Sequence, residues 1–415
     1  MAIDTLKADL GGRRFDLDWV RIVAFMLLIL YHVGMYYVDW DWHVKSPSAS
    51  GAIEPLMMLT SPWRLSLLFL VSGVATAYLL ARARSNFLGA RSVRLLIPLA
   101  FGMLVIVPPQ SYFQVVEQLH YSDGFAAFYR LYITAFHGFC RGSDCLILPT
   151  WNHLWFVAYL FVYTVVLYAA VRLMPKAAPA LRQGAERMFS GVGVIIAPIA
   201  YLAVARLALA GRFPANDALI GDWYNHATYF GVFVLGFILA ATRAPWLALE
   251  RLRWQSLALA VLGWAAYSAY MGFYSGDAVP SHALIGLMRV VYGAEQWLAI
   301  AAALGFAHRH LNRDNAARRY LTTAIFPVYI LHQTVIVVVA HSLKPAHLYP
   351  PIEALMLVAV TTAGCFLGYE IIRRVRPLQP LFGLAWQGAR LPRLSPRRAP
   401  AAVRLLECGV PQDLN

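Results

Sequence analysis

Apolar stretches recur along the chain near 18–38, 64–81, 93–109, 153–173, 191–210, 226–242, 255–273, 283–306, 321–342 and 352–372. At ~1.5 Å of helical rise per residue, runs of about 20 residues match the ~30 Å hydrocarbon core of a bilayer. The pattern predicts an all-α fold, a polytopic membrane bundle of about ten helices. Pro198 and Pro327 fall inside spans, where neighbouring helices can satisfy the carbonyls they free. Bulky residues rather than a small-residue cleavage pattern follow the first run, so that helix is expected to remain in place. A membrane domain is expected over 1–386. The Arg- and Pro-rich stretch 387–415 lacks helical periodicity and is expected to be a disordered, lipid-associated tail.

The polar positions inside these runs carry most of the information. Arg21 and His32 stand in the first span with ten residues between them. Eleven steps of ~100° return them to within about 20° of one face, roughly 16 Å apart along the axis. Asp18 shares that face and is expected to pair with Arg21. A stripe of this kind must face a cavity or the bundle interior, unless Arg21 only snorkels to headgroups and His32 only fills a buried hydrogen bond. Arg91 and Arg94 sit one turn apart at a membrane entrance, a spacing suited to phosphates and equally to anchoring. Trp42 and His43 follow the first span. Trp151 and His153 open the fourth, in the aromatic-rich TWNHLWFVAYL. Arg289 and Glu295 lie in the eighth span, and Tyr329 and His332 share a face of the ninth.

Composition agrees with a membrane protein: 60% of residues are hydrophobic, 13% are charged and the mean hydropathy is +0.57. The net charge of +14 raises the question of nucleic acid, but the positions of the charges answer it otherwise. On alternate sides of the ten runs Lys and Arg number 26 against 6, the asymmetry of a membrane protein with both termini cytoplasmic. No Gly-rich phosphate loop and no zinc-type Cys/His spacing is present, so neither metal nor nucleic acid is predicted. Cys140 and Cys145 share one outer loop, where a disulfide and two free thiols are both compatible with the sequence.

Taken in order, these pieces resemble membrane acyltransferase family three. The Arg21/His32 pair, LLFLVSG (67–73), ARSVRLLIP (90–98) and VYILHQ (328–333) match its motifs in succession across residues 14–385. LLFLVSG holds one of the family's usual two phenylalanines. WHVKS (42–46), HLWFV (153–157) and YEIIRRVRPLQPLFG (369–383) are similar to members that succinylate osmoregulated periplasmic glucans. The resemblance implies transfer of an acyl group, succinyl in those members, from cytoplasmic acyl-CoA to a sugar hydroxyl outside the bacterial inner membrane. Acyl-CoA would be a co-substrate, with no permanently bound cofactor. The partners would be that donor, a glycan and the bilayer, with a homo-oligomer left open.

On this reading Arg21, Arg91 and Arg94 hold the donor and His32 acts as general base or takes the acyl group itself. Asp18, Glu295, Tyr329 and His332 support the site, and Trp42, His43, Trp151 and His153 line the acceptor side. Transfer to another extracytoplasmic glycan or a lipid-linked sugar is the nearest alternative. Two others remain: a metal-dependent glycosyltransferase using Asp39 and Asp41, and a transporter or flippase with His32, Glu295 and His332 as its relay.

Overall fold

The structure, a computed structural model, describes residues 13–82, 86–175, 177–276 and 278–385. The predicted tail 387–415 lies outside the described residues. The remainder is a helical bundle whose β structure, among the described residues, is one short hairpin, Cys140–Arg141 with Asp144–Cys145. A disulfide joins Cys140 to Cys145 across that hairpin.

The first helix, α1 (Phe15–Tyr37), is wrapped on several sides and exposes Val23 and Leu30 on the remaining one. This division follows from its sequence. The apolar face suits lipid, while the Arg21/His32 stripe requires protein around it. Next comes α2 (Arg64–Arg82), which contains LLFLVSG. Its single phenylalanine, Phe69, is fully buried in an aromatic cluster, with ring centroids 4.5 Å from Phe156, 4.9 Å from Tyr229 and 5.4 Å from Tyr163.

The third predicted span, 93–109, is longer than its hydropathy suggested. α3 (Phe87–Phe101) continues through a π-helical turn at Gly102–Ile106 into α4 (Pro108–Leu119), giving 33 residues in one span. Pro108 and Pro109 mark a break by composition, yet the wider turn carries the chain through it, with Val107 N–H bonding to the Gly102 carbonyl at 2.8 Å. The stretch between the third and fourth predicted spans, 110–152, is therefore part helix, since it also contains α5 (Gly124–Ile133).

After α6 (Trp155–Leu173), the basic stretch between the fourth and fifth predicted spans forms a further helix, α7 (Ala177–Met188). The chain then bends by 101° into α8 (Gly193–Leu209). α9 (Trp223–Leu239) packs closely along α2, where Gly73 and Gly236 let the backbones meet: a Cβ on Gly73 would lie 1.9 Å from the Phe233 carbonyl oxygen. α10 (Ala244–Phe273), α11 (His282–His310), α12 (Ala316–Leu343) and α13 (Pro350–Arg374) complete the bundle, with α1 lying against α11, α12, α2 and α13.

Among the described residues, eight helices, counting α3 and α4 as one, are long and apolar enough to cross a membrane, or nine if the bent pair α7 and α8 is one span. The other two predicted spans, 191–210 and 226–242, correspond to α8 and α9, each 17 residues long.

Candidate active site

Two parallel helices build the site. Asp18 bonds to Arg318, Arg21 Nη2 donates to the Thr322 carbonyl at 3.1 Å, the Phe25 and Tyr329 rings lie 5.2 Å apart, and His32 Nδ1 is 2.8 Å from His332 Nε2. Contacts that advance together along α1 and α12 make the helices parallel. They also show that Arg21 and His32 do share a face, turned towards α12. The expected Asp18–Arg21 pair is not formed. Asp18 bonds instead to Arg13 and to the buried Arg318, whose guanidinium bridges it to Asp314. A partner 300 residues away in sequence, brought alongside by the packing of α12 on α1, takes the place of a neighbour one turn along the helix.

The histidine pair has a definite proton arrangement. His332 Nδ1 bonds to the Tyr329 carbonyl, which can only accept, so that nitrogen carries the hydrogen. With the ring neutral, His332 Nε2 is an acceptor, and His32 must donate to it from Nδ1. The lone pair of His32 Nε2 is then left over. His32 lines a cavity of 500 Å³, His332 stands behind it, and the Trp42 ring lies nearly parallel to the His32 ring at 6.5 Å. A carbonyl, one imidazole and a second imidazole in series form an orienting relay of the kind that fixes a catalytic base.

The cavity is more cationic than the sequence suggested. Arg64 and Arg206 both line it, together with Asp217, Asn225 and an aromatic wall that includes Trp155, Tyr229 and Tyr292. The Arg64 guanidinium lies 3.6 Å from the Tyr31 ring centroid, and that of Arg206 lies 3.4 Å from the Tyr292 ring centroid. Asp217 is in the segment between α8 and α9, where burial and the adjacent Asp222 carboxylate push its pKa up to about 7.

Of the residues expected on the acceptor side, only His153 lines this cavity, and both its ring nitrogens are engaged, with the Ile330 carbonyl at 3.1 Å and Gln110 Nε2 at 3.3 Å. His43 is likewise committed, to Gln114 Oε1 at 2.7 Å and Gln333 Nε2 at 2.9 Å, and burial draws its pKa below the ordinary value. Trp151 turns away to donate to the Asp217 carbonyl at 3.1 Å. Trp42 backs the His32 ring instead of facing the cavity. Sequence proximity to the site was the signal for these residues, and it does not specify where a side chain spends its hydrogen bonds.

The remaining expected residues divide as follows. Arg21, Arg91 and Arg94 lie within electrostatic reach of one another at the other end of α1, and Nε of both Arg21 and Arg91 is buried without a hydrogen-bond partner. The Tyr329 hydroxyl is used on the His153 carbonyl, so Tyr329 acts through its backbone in the relay. Glu295 is buried beside Arg206 and does not line the cavity. Asp41 of the Asp-x-Asp pair is exposed in an ion pair with Arg141 at 3.2 Å. Arg64 was missed because its position at the start of a helix looked like loop charge. Its burial against Tyr31 depends on a tertiary contact.

A helical membrane protein that positions a hydrogen-bonded histidine against a polar cavity fits group transfer, and the comparison with known families agrees. Residues 14–370 match the family described as the acyltransferase domain, and the chain belongs to that family. It is an acyltransferase and a multi-pass membrane protein. Among curated proteins, the chain is 23% identical over 385 residues to glucans biosynthesis protein C of Salmonella gallinarum, covering 89% of this chain and 94% of that protein. The protein of the same name from Escherichia coli O81 is 23% identical over 335 residues, covering 77% and 81%. No solved structure matches the chain.

Proposed function

We propose that this protein moves an acyl group, succinyl in our reading, from cytoplasmic acyl-CoA to hydroxyls of a periplasmic glucan across the bacterial inner membrane. The observation that carries the reading is the Tyr329 carbonyl–His332–His32 relay, which leaves a lone pair on His32 beside a polar cavity.

The topology proposed is ten spans with both termini cytoplasmic. Parallel α1 and α12 require an even number of crossings from α1 to the start of α12. Six of the eight long spans precede α12, so α8 and α9 cross together or not at all. At 17 residues each, ~26 Å of helix, both reach the lower limit of a span. The Lys/Arg asymmetry supports an inside position for the Arg21 end, and the Cys140–Cys145 disulfide suits an oxidising compartment on the opposite side.

In the proposed mechanism, Arg21, Arg91 and Arg94 receive the phosphates of CoA, and the pantetheine arm extends along the stripe towards His32. His32 Nε2 takes the proton of the sugar hydroxyl as its oxygen attacks the thioester carbonyl. The tetrahedral carbon expels the CoA thiolate, which recovers that proton from His32. One ester bond forms, one thioester bond breaks and CoA leaves as the free thiol. His332 accepts from His32 Nδ1 throughout and stabilises the transient imidazolium. Mass spectrometry of periplasmic glucans from cells with and without the gene tests the substrates: a succinyl increment lost on deletion is expected, and identical glucan masses would remove this donor and acceptor.

A further inference from the structure

The cavity beside His32 contains more fixed positive charge than acyl transfer by a histidine requires. Arg64 is 3% exposed, its hydrogen-bond partners are the neutral hydroxyls of Tyr31 and, at a long 3.4 Å, Thr60, and its Nε is buried without a partner. Arg206 donates to the Tyr224 hydroxyl at 2.6 Å, and its Nε too is buried without a partner. Neither guanidinium has an ion-pair partner among the described residues, although Glu295 is close to Arg206. Both guanidinium carbons sit over tyrosine rings, an arrangement that restrains them, and both residues line the cavity. Two buried cations in one cavity, each short of acceptors, are costly unless an anion joins them.

The position of Arg64 identifies which part of the substrate that anion belongs to. Its guanidinium stacks on Tyr31, whose ring centroid is 5.8 Å from that of His32. In a dicarboxylic acyl group with two methylenes, the free carboxylate stands no more than about 4 Å from the reacting carbonyl carbon. A cation this near the base therefore meets the acyl group before it meets a remote charge on a glycan.

We propose that Arg64 and Arg206 form a carboxylate subsite that selects acyl donors ending in a free carboxylate. The inference rests on the acyl-transfer reading for its consequence, but the subsite can be tested without turnover. Planar guanidinium edges suit the two oxygens of a carboxylate, and an uncharged acyl chain of equal length leaves both cations unpaired.

Two measurements on the purified full-length protein, in detergent, test the proposal separately from the reaction. In the first, thermal unfolding is followed with monomethyl succinate, dimethyl succinate or inorganic phosphate. Monomethyl succinate should raise the midpoint, dimethyl succinate should not, and Arg64→Gln or Arg206→Gln should abolish the shift. Stabilisation by phosphate but not by monomethyl succinate would assign the cations to a phosphorylated acceptor and overturn the proposal, as would no stabilisation by either.

In the second, kcat/KM is compared for succinyl-CoA and butyryl-CoA. The wild type should prefer succinyl-CoA, and each substitution should reduce that preference by about 10–100-fold while butyryl-CoA turnover stays near its wild-type level. Equal losses with both donors would overturn the subsite and leave acyl transfer standing. A midpoint shift with monomethyl succinate in a protein that turns over neither donor would keep the subsite and overturn the reaction.

Discussion

Replacing His332 with phenylalanine removes the acceptor of His32 Nδ1–H while approximately conserving ring volume behind the base. In the structure that acceptor is 2.8 Å away, and His332 is 1% exposed, so no water takes its place without repacking. Two losses follow. The hydrogen bond that stabilises the transient imidazolium is charge-assisted, worth about 1.5–3 kcal/mol, or about 10–150-fold in rate. The His32 ring also becomes free to adopt the other tautomer, with its lone pair turned away from the cavity. The closest analogy, loss of the orienting group in a serine protease, costs ~10⁴ in kcat. The expected decrease in kcat therefore lies between about 10- and 10⁴-fold, with KM for acyl-CoA little changed because the phosphate site is at the other end of α1. The assay is CoA thiol release by purified protein in saturating acyl-CoA, with kcat and KM resolved. His332→Gln, whose Oε1 accepts from His32 Nδ1–H, should recover part of the loss. A His332→Phe protein with wild-type kcat would refute the relay, and an equal defect in the Gln variant would reduce His332 to a packing role.

Other parts of the structure give further expectations. Arg91→Ala combined with Arg94→Ala should raise the Kd for CoA by about 10-fold or more, reading the loss as charge-assisted contacts to phosphate, with equilibrium binding in detergent as the check; an unchanged Kd contradicts the donor site. Gly73→Leu should prevent α2 and α9 from closing, since even a Cβ would lie 1.9 Å from the Phe233 carbonyl oxygen, and size-exclusion chromatography should show loss of the monodisperse protein. The raised pKa of Asp217 costs folded-state stability progressively as pH rises from its ordinary 3.8 towards about 7, because the unfolded chain ionises first. Asp217→Asn should therefore leave the unfolding midpoint nearly unchanged at pH 4 and raise it relative to wild type at pH 8; a gain confined to acid pH contradicts this burial.

Much of the fold is legible in the hydrophobic pattern because a bilayer imposes a length on apolar helices. Each of the ten predicted spans coincides with helix, and the Arg21/His32 periodicity identifies the inward face of α1 before any partner is known. The pattern is less informative where helix formation does not depend on apolarity. α7 is amphipathic and basic and so resembles a loop by hydropathy, and the π turn at Gly102–Ile106 carries a helix through a Pro-Pro step that signals a break. In the site, spacing along one helix brought Arg21 and His32 together, but hydrogen bonds between α1 and α12 are set by tertiary packing. Asp18 thus pairs with Arg318, and His332 moves from a supporting residue to the partner of His32. Arg64 escaped notice for the same reason, as its stacking on Tyr31 is visible only once α1 and α2 are placed side by side.

The central claim, that His32 is the base for acyl transfer, is tested most directly by acyl-CoA turnover in the purified protein with His32→Ala beside wild type. Loss of a positioned general base predicts a decrease in kcat of about 10²–10⁴-fold, with CoA binding retained through Arg21, Arg91 and Arg94. Turnover at the wild-type rate in a folded His32→Ala protein would contradict the account.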